Sequence, residues 1–361
     1  MTETQAEESL RRCRAFWKRE TVDRPLVGYG QPYPAKHLDQ SRELQLHRGL
    51  ITLSQLEPES YLESYERRFA ECSAWPGDIF YSAVPLNGFP WIEAMFGCEV
   101  TASGQGFSAL NFARDTEDLE RIPLGLETPW AKLYLDFLDC LGRRFKDRCG
   151  VGQPILRGIS DLLAAILGPE NLVYAMHDEP ERIKNFIRRA TAFYLELYRE
   201  QMRRSVPYLG GWMIGFYDLW APGPCLWLQD DNLVLFSSEM YREYFLDFVA
   251  AVTALTPYNL IHLHPVSLRH LDSLLDIPTL TVVEVNREMT EQAFPELISD
   301  LRRIQERKLL DVQGVISPAE LRLLLDRLSP SGLQLKCLTE TPEDIPGMHE
   351  YFLGLVAARA F

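Results

Sequence analysis

Leu260-Ile261-His262-Leu263-His264-Pro265 is the stretch on which the fold reading turns. A short apolar run carries two histidines two residues apart and stops at a proline, as a buried strand with a polar end does. Residues i and i+2 of a strand project to one side, so both imidazoles leave this strand together. Working outward, the same unit recurs. Downstream come apolar runs at Thr279–Val285, Lys308–Val315 and Gly332–Cys337, separated by helix-like segments at Leu268–Leu275, Thr290–Glu306, Ser317–Leu328 and Glu343–Ala358. Upstream, strands are expected at Pro25–Gly30, Asp78–Pro85, Gln153–Gly158 and Gly211–Tyr217. Helices are expected at Glu3–Arg19, Trp130–Arg148, Ser160–Gly168, Pro180–Arg203 and Ser237–Leu255, and a hairpin over Glu99–Phe112. Seven or eight strand–helix units without a composition break predict one (β/α)8 barrel of the TIM type spanning residues 1–361. An N-terminal helical extension over residues 1–75 packs on it. A doubly wound sheet is the alternative.

Composition bounds the partners. The chain has 361 residues, 46% of them hydrophobic, enough for a large core without disulfide staples. Seven cysteines at irregular spacing, an odd number, fit a reduced cytoplasmic protein. Glu, Arg and Lys throughout Met1–Glu20 exclude a signal peptide there, and no apolar run reaches the length of a membrane span. A formal charge of -14 argues against a nucleic-acid partner. A small-molecule substrate is expected instead, with a homodimer as a further possibility.

In a barrel the carboxyl ends of the strands converge on one mouth. Three predicted strand ends carry metal-ligand groups: His262 and His264, then Glu284, then Cys337. Imidazole, carboxylate and thiolate are the groups that bind zinc in four-coordinate sites. Asp218 and Asp230 stand near another strand end as candidate proton carriers, with Asp231 adjacent; in an extended segment only one of the latter two can face the pocket. Trp212, Tyr217 and Trp227 crowd the same region as candidate substrate-binding aromatics, joined by Tyr81, Trp91 and, as an anion clamp, Arg157.

The spacing His262-x-His264, then 72 residues, then Cys337, resembles the His-x-Cys-x(n)-Cys zinc motif of the corrinoid-linked thiol methyltransferases, a branch of the uroporphyrinogen decarboxylase-like superfamily. Val22-Asp-Arg-Pro25, Phe89–Gly97, Arg157–Gly168, Gln229-Asp-Asp231 and Gly314–Pro318 are similar to family segments. The resemblance implies zinc on His262, His264 and Cys337, with Glu284 where a further carboxylate ligand and catalytic group would stand. It also implies a corrinoid (cobalamin) cofactor, carried by a partner corrinoid protein. The arginine-rich decarboxylase motif is not recognisable in Pro25–Pro34, so tetrapyrrole decarboxylation is not expected. His264 replaces the family's first cysteine. One thiolate instead of two leaves a net positive centre, a stronger Lewis acid with a less nucleophilic bound thiolate. A metal-dependent lyase or hydrolase without corrinoid, and a scaffold with a structural metal, are the alternatives.

Overall fold

The computed structural model describes residues 3–32, 48–104, 106–288 and 292–359. Two of the chain's seven histidines, His37 and His47, lie outside them. Eight parallel strand segments organise the chain. These are β1 (Leu26–Gly30), β2 (Ser82–Ala83), β3 (Gly150–Val151), β4 (Cys225–Gln229), β5 (Tyr258–Leu263), β6 (Val282–Arg287), β7 (Leu309–Val315) and β8 (Leu333–Leu338). Six form one parallel sheet in the order β1-β8-β7-β6-β5-β4, and β2 pairs with β3 separately. At one edge of the large sheet Asp78 donates its amide to the Val27 carbonyl at 2.8 Å; at the other, Arg157 pairs in parallel with Gln229. The connections between β6, β7 and β8 are the helices Phe294–Arg307 and Pro318–Arg327. The second starts at a reciprocal cap, Ser317 bonded to the Glu320 amide and the Glu320 carboxylate to the Ser317 amide.

Alternation along the strands assigns each face. Ile261, Leu263, Val283, Val285, Leu310, Val312, Leu333 and Leu335 join the helix residues Phe294, Leu301 and Leu324 in the main apolar core. The opposite face begins with Leu260, Val282 and Leu309, which pack with Leu10, Cys13 and Phe16 of helix α1 (Glu3–Lys18). That helix is fastened where the Trp17 indole donates to the Trp220 carbonyl at 2.7 Å. Each fully buried side chain of this layer contributes about 1.5–3 kcal/mol by leaving water. Two residues further along the same face the chemistry changes: His262, Glu284, Asp311 and Gln334 stand side by side in register, all buried.

Two sequence expectations are corrected. Gln153–Gly158 is not a regular strand. Pro154 cannot donate, and the Gln153 side chain takes over the pairing, giving its amide to the Trp227 carbonyl at 2.5 Å and accepting the Trp227 amide at 3.2 Å. Gly211–Tyr217 is not a strand of the large sheet either. Trp212–Ile214 forms an antiparallel hairpin with Leu219–Ala221 across the turn Gly215–Tyr217, and β4 takes its place beside β5. Both runs are short and apolar, and periodicity alone cannot rank them. The hairpin passes very close to the chain after β3. A methyl group on Gly152 would meet the Met213 carbonyl oxygen at 2.7 Å, and one on Gly215 the Gln153 carbonyl oxygen at 2.5 Å, so both positions need glycine. The expected hairpin over Glu99–Phe112 is present, with strands Glu99–Ala102 and Phe107–Leu110. Among the described residues no helix is long and apolar enough to cross a membrane.

Candidate metal centre

The two histidines at the end of β5 do project together. Their Nε2 atoms are 3.3 Å apart, with the rings at 85°. Pro265 ends the pairing immediately after His264 and opens a helical turn over Pro265–His270, leaving His264 at the rim. The third group is Asp231, whose Oδ1 lies 3.8 Å from His262 Nε2 and 3.9 Å from His264 Nε2. These three residues are the one such cluster among the described residues whose candidate ligand atoms all fall within 4.8 Å of one another. Ligand atoms at about 2.0–2.2 Å from a tetrahedral zinc stand roughly 3.3–3.6 Å apart. The donor set therefore fits a small divalent cation, with the carboxylate needing only a slight approach.

Glu284 stands behind the site. Its fully buried carboxylate lies 2.5 Å from His262 Nδ1, so the other ring nitrogen is the one aimed at Asp231 and His264. Burial disfavours charge on His262, but the Glu284 carboxylate outweighs it and holds the pKa above the ordinary histidine value. Glu284 is thus placed to orient a ligand, whereas the sequence reading made it a ligand itself. Tyr217 flanks the pair, its ring centroid 6.2 Å from that of His262.

A second carboxylate positions Asp231. Asp161, buried in helix α2 (Ile159–Leu167), accepts the amides of Asp231 at 3.1 Å and Asn232 at 2.8 Å. Burial and the neighbouring Asp231 charge push the Asp161 pKa up to about 7. Asp230, chosen from the sequence as a proton carrier, points the other way. Its Oδ1 accepts the Ser160 amide at 3.0 Å and the Ser160 hydroxyl at the start of α2, which makes it a helix cap. Asp231 was legible in principle. Gln229 pairs with His262 across β4 and β5, and Asp231 lies two residues beyond Gln229 on the same side.

Cys337 is not brought to the histidines. Its neighbour Lys336 faces Asp218, while Cys337 itself sits with Leu333 and Leu335 among the helices, fully buried, its thiol pushed up to about 12. Where a thiolate was expected, the cluster at the histidines carries the Asp231 carboxylate. The other sequence candidates divide similarly. Trp91 and Trp227 are fully buried core residues whose indoles donate to the Pro85 and Gln153 carbonyls at 3.2 Å, and Trp212 belongs to the hairpin. Arg157 is held 2.7 Å from the buried Glu93, whose charge raises its pKa, so it is an ion-pair partner before it is an anion clamp. Asp218 and Tyr81 lie at a separate cavity, on the side of the Gly215–Tyr217 turn that Lys336 faces.

The chain folds like a methyltransferase from Methanosarcina mazei. The superposition covers 97% of this chain and 98% of that one with a TM-score of 0.67, at 12% sequence identity. No protein-family model and no curated protein sequence matches the chain. The likeness to the Methanosarcina methyltransferase is therefore one of fold, running through the whole chain rather than through one domain.

Proposed function

We propose that the protein is a metal-dependent methyltransferase in which His262, His264 and Asp231 hold zinc. It moves a methyl group between a small thiol or methoxylated substrate and a corrinoid carried by a partner protein. The observation that carries this reading is the triad of ligand atoms at the strand ends of a fold shared, over 97% of the chain, with a methyltransferase. We read the eight parallel strand segments as a closed barrel, the β2–β3 pair and residues 152–157 completing the circuit between the two edges of the large sheet. The triad then lies on its mouth, open to a substrate and to a corrinoid protein.

Zinc in this place supplies a Lewis acid that acidifies a bound thiol or water and polarises an ether oxygen. The chain's own residues do the rest. Glu284 keeps a proton on His262 Nδ1, Asp161 fixes the backbone that presents Asp231, and Tyr217 shields the inner side of the imidazole pair. Two imidazoles and one carboxylate carry a single negative charge, less than a set with two thiolates. That donor set favours a second reading, a metal-dependent lyase or hydrolase without corrinoid, since related sets of two histidines and a carboxylate serve hydrolytic zinc. Metal analysis of the purified protein, followed by a methylcobalamin spectral assay with simple thiols and methyl ethers, tests both. One equivalent of zinc with substrate-dependent loss of the methyl–cobalt band supports methyl transfer. Zinc without any cobalamin turnover favours the lyase or hydrolase, and absence of stoichiometric metal overturns both.

A further inference from the structure

Asp231 brings two oxygens to the histidine pair, and they have different surroundings. Oδ1 faces both imidazoles, 3.8 Å from His262 Nε2 and 3.9 Å from His264 Nε2. Oδ2 is taken by the side chain of Gln229, whose Nε2 donates to it. An amide beside a carboxylate presents its N–H groups, because its own oxygen would set acceptor against acceptor. The N–H carries partial positive charge into the place a cation would need on that side, so Asp231 offers one ligand atom and not two.

The local chain accounts for the pairing. Gln229 is buried at the end of β4, in register with His262 on one side and with Arg157 on the other. Asp230 turns away to cap α2, and Asp231 opens the turn Asp231–Leu235. Asp231 thereby returns to the side of Gln229, within reach of a side chain two residues back. Asp161 holds the main chain here, with Oδ2 on the Asp231 amide at 3.1 Å and Oδ1 on the Asn232 amide and side chain, both at 2.8 Å. The work is divided. Asp161 sets where Asp231 stands, and Gln229 sets which oxygen it offers.

That division fixes the number of ligand atoms. With one oxygen from Asp231 the triad supplies three, the count of a zinc site that keeps a fourth position for water or substrate. With both oxygens it would supply four and fill that position. Two neutral imidazoles and one carboxylate leave a single positive charge on a dication, which one anionic atom, such as a thiolate sulfur, neutralises. We propose that Gln229 is a positioning residue that keeps Asp231 monodentate and so holds one coordination position open for a substrate atom. The role rests on the metal reading of the triad, and Gln229 acts only through the Asp231 carboxylate.

Cobalt(II) in place of zinc tests this, because its visible bands are intense in a tetrahedral field and weak once further ligands join. The metal-free full chain is expected to take up one equivalent of cobalt(II) with intense, tetrahedral-type bands, and to bind 2-mercaptoethanol with a new sulfur-to-cobalt band. Gln229→Met keeps the length of the side chain and removes the N–H. Its cobalt bands should be several-fold weaker, and its thiol affinity lower by about tenfold or more. A merely structural role would lower the melting temperature and leave both signals unchanged. No cobalt uptake by the unmodified protein overturns the metal reading and this role with it. Uptake with weak bands in the unmodified protein overturns this role alone and decides even if the variant does not fold. Identical bands and thiol affinity in a folded Gln229→Met do the same.

Discussion

Two layers of one sheet face, a single strand repeat apart, have opposite characters. Leu260, Val282 and Leu309 meet α1 and are sealed by it; His262, Glu284, Asp311 and Gln334 follow two residues later and are polar. The strands and the face are the same. What differs is the cover, since a helix closes the first layer and the strand ends lead from the second to the rim. The first layer holds the fold, and the second is where a reaction can be held.

That division can be broken from either side. His262→Ala should abolish stoichiometric metal binding with little loss of melting temperature, measured by metal analysis beside a thermal scan; retained metal would remove the triad from consideration. Leu260→Ala should do the converse, lowering stability by about 2–5 kcal/mol in a denaturant titration, while the folded fraction keeps its metal. Glu284→Gln sharpens the contrast within the polar layer. An orienting partner behind a ligand is worth roughly 10–100-fold in metal affinity, so competition with a chelator should show weakening, not loss. The smallest effect belongs to Cys337. Cys337→Ala should cost on the order of 1 kcal/mol and no metal. With its thiol held up near 12, Cys337 in the native protein should resist iodoacetamide at pH 8 both before and after chelation. Labelling that appears only after chelation, read by peptide mass spectrometry, would restore it as a ligand.

Legibility in the sequence followed the strength of the local signal. The histidine pair needed one rule, the period of two along a strand, and stands as that rule requires. The strands β5 to β8 and the helices between them were readable because their apolar runs, caps and stops agree. Cys337 was misplaced because its position at a strand end outweighed its parity. Leu333-Gln334-Leu335-Lys336-Cys337 already alternates, and the cysteine shares the leucines' side. Asp231 was passed over because no strand was expected between Tyr217 and Ser237, and without β4 there is no register from which to extend the face of Gln229. Glu284 as an orienting group could not be read at all. A side chain on a neighbouring strand end looks like a ligand until the 2.5 Å contact with Nδ1 shows which atom it serves.

The glycines at 152 and 215 have a bearing on how this protein could be re-engineered. They bring main chain against main chain at the root of the turn, while the Phe216 and Tyr217 rings meet edge to face with centroids 5.0 Å apart, so side chains as well as backbone stand between the histidine pair and the cavity at Lys336. Trimming either ring therefore thins the wall itself, and the character of the two sides is tied together through these two residues.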